Sequence, residues 1–252
     1  IGSCTSFAST YYQLTYETAL VRGWKPAQGD SNARFSPKWT YNMCNGGTDG
    51  GSGFGSTYSV LLGHGAATWA ELPYDSDYRG WCLKGEVWRH AMEFRPLSQG
   101  TISYSDPDTF ISDLKTQLAN GHVLTYGTYW NSRVQTTIAN DPAVSQDDPY
   151  VGQKAIAYMK NDQQGAHSMT VVGYNDYLWC DLNGNDVVEA AEKGAFKIAN
   201  SHGLGSGNSG YWWVPYDAVR KTSTVPPTGS WPPPDRSDQG FFHSCLLYTS
   251  DA

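Results

Sequence analysis

The sequence predicts an α+β fold: a helix-and-loop half, a strand-rich half and a functional cleft between them. Three features predict it. Apolar residues recur at helical spacing through much of the first hundred residues. Short β-branched and apolar runs follow beyond residue 120. The helical and strand-like segments are segregated along the chain, as in α+β proteins, whose sites form where the halves meet.

The elements follow in order. Residues 5–21 read as a helix, with Phe7, Tyr11 and Leu14 on one face and Gly23 as a stop. Ser36 is placed to cap a second helix that Pro37 opens and that runs to about Met43. The glycine-rich stretch 44–55 is a loop, and 56–62 a short helix closed by Gly63 and Gly65. Residues 107–118 form an amphipathic helix, with Phe110, Ile111, Leu114 and Leu118 on one side and Asn120-Gly121 at its end. Strands are expected at 122–130, 168–174, 194–199 and 210–214. The domain therefore spans 1–224, divided near residue 100. Residues 225–244, rich in proline, read as a linker or tail. The closing CLLYTSDA, residues 245–252, resembles a translated sequencing adapter and is expected to lie outside the fold.

The chain has 252 residues, enough to bury a substantial core. Lys and Arg number 17 against 24 Asp and Glu, a net charge of -7, which disfavours nucleic-acid binding. No apolar run approaches the length of about 18 residues that a membrane-spanning helix needs. The low charged fraction, 16%, fits a secreted or cell-surface protein. The five cysteines form no C-x-x-C pair, which argues against a zinc ribbon or a dithiol redox motif.

Three residues are candidates for chemistry, each with a structural alternative: a buried cysteine, a histidine at a strand edge and a turn-forming asparagine. A thiol attacks as its thiolate, which a helix N-terminus and a nearby imidazolium both favour. Cys4, in Gly2-Ser3-Cys4, lies at the start of the first helix. His167 immediately precedes the strand at 168–174, and among six histidines it alone has such flanks. A base there can take a proton from a thiol. Asn200 ends the apolar run Ala195-Phe196-Lys197-Ile198-Ala199.

Together these segments resemble papain-like cysteine peptidases, in a divergent, bacterial-type form. Gly2-Ser3-Cys4-Thr5-Ser6-Phe7 is similar to the family's nucleophile motif. Gly165-Ala166-His167 through Gly173-Tyr174 is similar to its histidine motif. Asn200-Ser201-His202-Gly203, with Gly207 through Trp212, is similar to its asparagine block. Cys44-Asn45-Gly46-Gly47 matches its Cys-Asn-Gly-Gly loop. Pro73-Tyr74 and Cys82 also have counterparts. The likeness extends over most of residues 1–216. It implies a helical half packed on an antiparallel, β-barrel-like half, with the active site between. It implies Cys4 as nucleophile, His167 as general base, and Asn200 as the residue that orients the imidazole. Gly46 and Gly47 would pair with an extended peptide or protein substrate. No cofactor is required for such acyl transfer, and a monomer is expected.

The departures are specific. The family's oxyanion-hole glutamine would precede Ile1, and the intact gene product is expected to carry it. Thr5, His202 and Ser206 stand where the family commonly has tryptophan. The usual partner of Cys44 would fall at Ile1, so Cys44 is either free or paired with Cys82. Separately, Asp181, Asn183, Asn185 and Glu192 follow the oxygen spacing of an EF-hand-type loop. They make a structural calcium an option, although Asp186 stands where glycine normally makes the turn. Two rival readings remain. One is a different Cys-His enzyme, such as a transglutaminase or an arylamine acetyltransferase. The other is a non-catalytic papain-like module that binds peptides or glycans.

Overall fold

The structure, a computed structural model, describes residues 1–24, 29–104, 106–237 and the backbone of 244–248. The expected first helix is one continuous run in three parts: α1 (Cys4–Ser6), a π-helical stretch (Phe7–Leu14) and α2 (Thr15–Arg22). Gly23 ends it with a φ of 63°, the left-handed conformation that glycine adopts without steric penalty. The buried face of this run is largely polar: Thr5, Ser9, Thr10, Gln13 and Glu17 are all buried. Each has a partner, as buried polar groups require. Thr10 meets Thr40 at 2.7 Å, the Gln13 amide donates to the Val123 carbonyl at 2.8 Å, and Glu17 accepts the Val123 N–H at 3.0 Å. In the π-helical stretch the Ala8 carbonyl accepts the Thr170 hydroxyl at 3.1 Å. The helix thus links the two halves by hydrogen bonds as well as by packing.

Around it stand α3 (Pro37–Cys44), α4 (Phe54–His64) and α5 (Gly85–Ala91). Ser36 occupies the N-cap of α3 in extended geometry, but its hydroxyl makes no capping bond; Pro37 at the first helical position sets the start. Leu14, Phe35, Trp39, Tyr58 and Leu61 form the core of this half. The other half carries α6 (Pro107–Ala119), capped by the Asp106 carboxylate on the Thr109 N–H, and the short α7 (Tyr216–Val219).

Among the described residues eight strands complete it: β1 (Ser98–Ile102), β2 (Leu124–Tyr129), β3 (Arg133–Thr137), β4 (Lys154–Met159), β5 (Ala166–Trp179), β6 (Lys193–Ala199), β7 (Tyr211–Pro215) and β8 (Ser244–Tyr248). They lie in the order β1-β8-β2-β5-β6-β7-β4-β3, antiparallel throughout except for the β4–β7 pair. The architecture is α+β as expected. The sheet is open, with β1 and β3 at its edges, which corrects the barrel-like expectation.

The proline-rich segment also departs from expectation. Val225 and Trp231 are buried in a cluster with Ile138, Leu178 and Trp213. Arg236 pairs with Asp217 at 2.9 Å, both side chains buried. Residues 225–237 are therefore packed on the sheet, and the expected tail is part of the folded body up to that point. The backbone of β8, mostly within the segment read as an adapter, pairs between β1 and β2. Residues 238–243 and 249–252 lie outside the described residues. Among the described residues, no helix is long and apolar enough to cross a membrane.

Candidate active site

Cys4 is the first residue of the helical run and is partly exposed. It opens into a cleft of about 790 Å3 between the halves. One wall is residues 49–54, on the loop that leads into α4. The other is residues 127–129 at the end of β2 and 166–168 at the start of β5. His167 is on that second wall, so the two ionisable residues singled out by sequence line the same cleft. Thr5 closes the floor between them. Its hydroxyl meets that of Ser168 at 3.0 Å and donates to the Ser52 carbonyl at 2.8 Å.

Sheet register explains why His167 meets Asn200. Thr170 of β5 lies opposite Ala199 of β6. The next residue, Asn200, therefore emerges beside the start of β5. Its Oδ1 lies 2.9 Å from His167 Nε2. An amide oxygen only accepts, so Nε2 donates, which leaves Nδ1 as the basic nitrogen of the neutral ring. Asn200 is itself fixed by its backbone: its N–H donates to the Gly210 carbonyl at 2.9 Å, and its carbonyl accepts the Tyr12 hydroxyl at 3.2 Å. Burial lowers the proton affinity of His167 below the ordinary histidine range and the Arg133 charge adds to the effect, while the Asn200 bond opposes it. His202 stacks on the His167 ring at 4.7 Å, and Trp130 lies at 6.0 Å.

Gly46 and Gly47 are not part of the cleft wall. Both are exposed, with φ of 64° and 75°, on the turn after α3, where the Asn45 side chain accepts the Gly47 N–H. The glycines on that wall are Gly50, Gly51 and Gly53. The reason lies in Asp49. Its Oδ1 accepts from the Gly2 N–H at 2.7 Å and the Tyr41 hydroxyl at 2.6 Å, which docks the loop beside Cys4. These bonds, the Tyr41 one foremost, hold the Asp49 carboxyl below its usual range. Burial foremost pushes the Tyr41 phenol up to about 12, so it remains a donor. The approach is tight: a Cβ on Gly2 would lie 2.8 Å from the Gly51 nitrogen. Sequence reasoning does not single out Asp49 or Tyr41. The one local signal is a lone carboxylate inside a glycine-rich loop.

The four described cysteines, Cys4, Cys44, Cys82 and Cys180, are all free. The Cys44 thiol donates to the Thr40 carbonyl, so no bond joins Cys44 to Cys82. In the calcium-like loop, Glu192 is buried and its oxygens accept from Trp179 Nε1, Leu182 N and Asn183 N. Asp181 accepts from Gly184, Asn185 and Asp186 backbone N–H groups. The Asn183 side chain donates to Glu189, and the Asn185 side-chain oxygen accepts the Val187 N–H. Asp186 takes the left-handed φ of 55° itself. The loop is closed by these bonds. Among the described residues no three His, Cys, Asp or Glu side chains are gathered to hold a metal.

No protein-family profile matches the sequence. No curated protein matches it either. Solved structures do. Xylellain, a cysteine protease from Xylella fastidiosa, is 18% identical with a TM-score of 0.60, over 99% of this chain and 80% of its own. The bromelain protease from Ananas comosus, solved with the E64 inhibitor, is 14% identical with a TM-score of 0.60, over 99% and 90%. Digestive procathepsin L 3 of Tenebrio molitor is 15% identical with a TM-score of 0.58, over 98% and 63%. The helical half, the sheet and the cleft between them are thus the fold of papain-like cysteine proteases.

Proposed function

We propose that the chain is a cysteine peptidase that hydrolyses peptide bonds through a thioester on Cys4. The observation that carries this reading is the 2.9 Å contact between His167 Nε2 and Asn200 Oδ1 on a cleft that Cys4 also lines. His167 takes the Cys4 proton to give the attacking thiolate. The sulfur attacks the substrate carbonyl. The Cys4 backbone N–H, at a helical position whose N–H has no acceptor within the helix, is one donor for the developing oxyanion. The C–N bond breaks as the imidazolium returns its proton to the leaving amine. Water then hydrolyses the thioester with His167 again as base. The extended substrate lies along Gly50 and Gly51, where the absence of side chains allows close backbone approach.

Covalent labelling with a peptidyl epoxide, followed by peptide mapping, tests the reading. Rapid labelling confined to Cys4 and abolished by His167→Ala is expected. Equal labelling of Cys4, Cys44 and Cys82 would show an unactivated thiol and favour a non-catalytic binding module.

A further inference from the structure

His202 touches both members of the pair that prepares the base. Its ring stacks on His167, with centroids 4.7 Å apart and planes 26° from parallel. Its Nδ1 lies 3.5 Å from the Asn200 side-chain nitrogen, on the amide whose oxygen accepts the hydrogen bond from His167 Nε2–H. An amide nitrogen only donates, so this bond needs an unprotonated Nδ1 on His202. The other ionisable groups acting on His202 are His167 itself, on β5, and Arg133, at the start of β3. The Arg133 guanidinium lies over the Trp130 and Trp212 rings at 4.3 and 5.4 Å. These neighbours are cationic or become so on protonation, and they disfavour a further positive charge.

We propose that His202 is a positioning residue for the His167–Asn200 pair, and that it holds the pair only while its own imidazole is neutral. The inference rests on the peptidase reading and adds an acid limit to it. A proton on His202 turns the Asn200 contact into two donors facing each other. It also sets a positive charge against the face of His167, which must itself become cationic when Cys4 gives up its proton. Both effects disfavour the reactive pair. Burial and these neighbours keep the His202 proton affinity below the ordinary histidine range, so the neutral, holding form prevails at neutral pH. The loss therefore comes on the acid side, below about pH 6.5.

The test is the pH dependence of two rates in the same protein: alkylation of Cys4 by iodoacetamide, read by peptide mapping, and kcat/KM for peptide hydrolysis. His202→Trp keeps an aromatic stack and removes the charge; His202→Ala removes both. The acid limb of both variants is expected to move down by about one pH unit relative to wild type. The plateau of His202→Ala is expected about tenfold below that of His202→Trp, because only the latter still supports the ring. If His202→Trp melts as an unfolded chain, His202→Gln, which cannot titrate, is expected to show the same shift. Acid limbs that superpose on wild type, in a wild type that hydrolyses peptides, would overturn this inference alone. A wild-type Cys4 whose alkylation is slow and follows an ordinary thiol titration would overturn the peptidase reading and this inference with it.

Discussion

At the scale of single residues, the proposed function separates groups that react from groups that orient. Asn200 is 2% exposed, and its backbone is tied to Gly210 and Tyr12 independently of its side chain. Asn200→Ala therefore deletes the amide and leaves the chain path. The His167 ring loses the acceptor that selects its tautomer, and the basic nitrogen no longer has a defined position. In triads of this kind, removing the orienting group acts on the chemical step. For Asn200→Ala, kcat and kcat/KM are expected to fall together by about a hundredfold in steady-state hydrolysis. A rise in KM with kcat intact would assign Asn200 to substrate binding instead. His167 does not depend on Asn200 alone, since His202 covers one neighbouring surface and Trp130 another.

At the scale of elements, Cys4 is placed by the joint between the helical run and the loop leading to α4. Gly2 passes so close to Gly51 that an added Cβ would come within 2.8 Å of one backbone atom and 2.9 Å of another. Backbone does not yield as a flexible side chain does. Gly2→Ala should therefore push residues 49–51 and Cys4 apart, and hydrolysis is expected to fall at least about tenfold, since misplacement by about an ångström is costly to catalysis. The melting temperature should fall little, because the loop is exposed. A variant with wild-type kcat/KM would show that the loop adjusts freely. The same joint shows what the sequence reveals. Cys4, His167 and Asn200 are legible because each sits at an element end marked by its neighbours: a helix start, the second residue of β5, and the residue that follows β6. Gly50 and Gly51 are not. The path of the 44–53 loop depends on Asp49 reaching Gly2, a contact between residues 47 apart in sequence. Nor are β1 and β3 legible: Ser98–Ile102 and Arg133–Thr137 are polar edge strands without clean alternation. The π-helical stretch is hidden for another reason. It extends a helix whose apolar spacing it barely alters, and what distinguishes it is a buried polar face satisfied by Thr5, Thr40 and, on the other half, Val123.

At the scale of the whole molecule, Cys4 and His167 belong to different halves, so reactivity depends on whatever keeps the sheet in shape. The segment read as a tail is part of that. Trp231 is 8% exposed in the cluster of Ile138, Leu178 and Trp213, and Val225 is buried beside it. The Ser237 N–H donates to Met159 at the end of β4, and Arg236 closes on the Asp217 carboxylate of α7 at 2.9 Å. Asp217 also accepts from the Ser223 hydroxyl and the Thr224 N–H. Burial lowers the proton affinity of Arg236, while Asp217 opposes the shift; the guanidinium remains charged and paired. Removing one partner of a buried ion pair leaves the other uncompensated, which typically costs about 3–5 kcal/mol. Arg236→Met should therefore lower stability by an amount in that range in urea melts. The double variant Arg236→Met/Asp217→Asn should be more stable than Arg236→Met alone, because no buried charge is then left unpaired. Composition predicts otherwise: a run of prolines beside Ser, Gly and Thr reads as solvated chain, and a solvated Arg236 could be replaced with little change. The two expectations differ by several kcal/mol, well outside the error of a denaturant melt. What decides between them is burial: proline makes a segment poor at forming strands, but it does not prevent one tryptophan and one arginine from anchoring that segment to a sheet already formed.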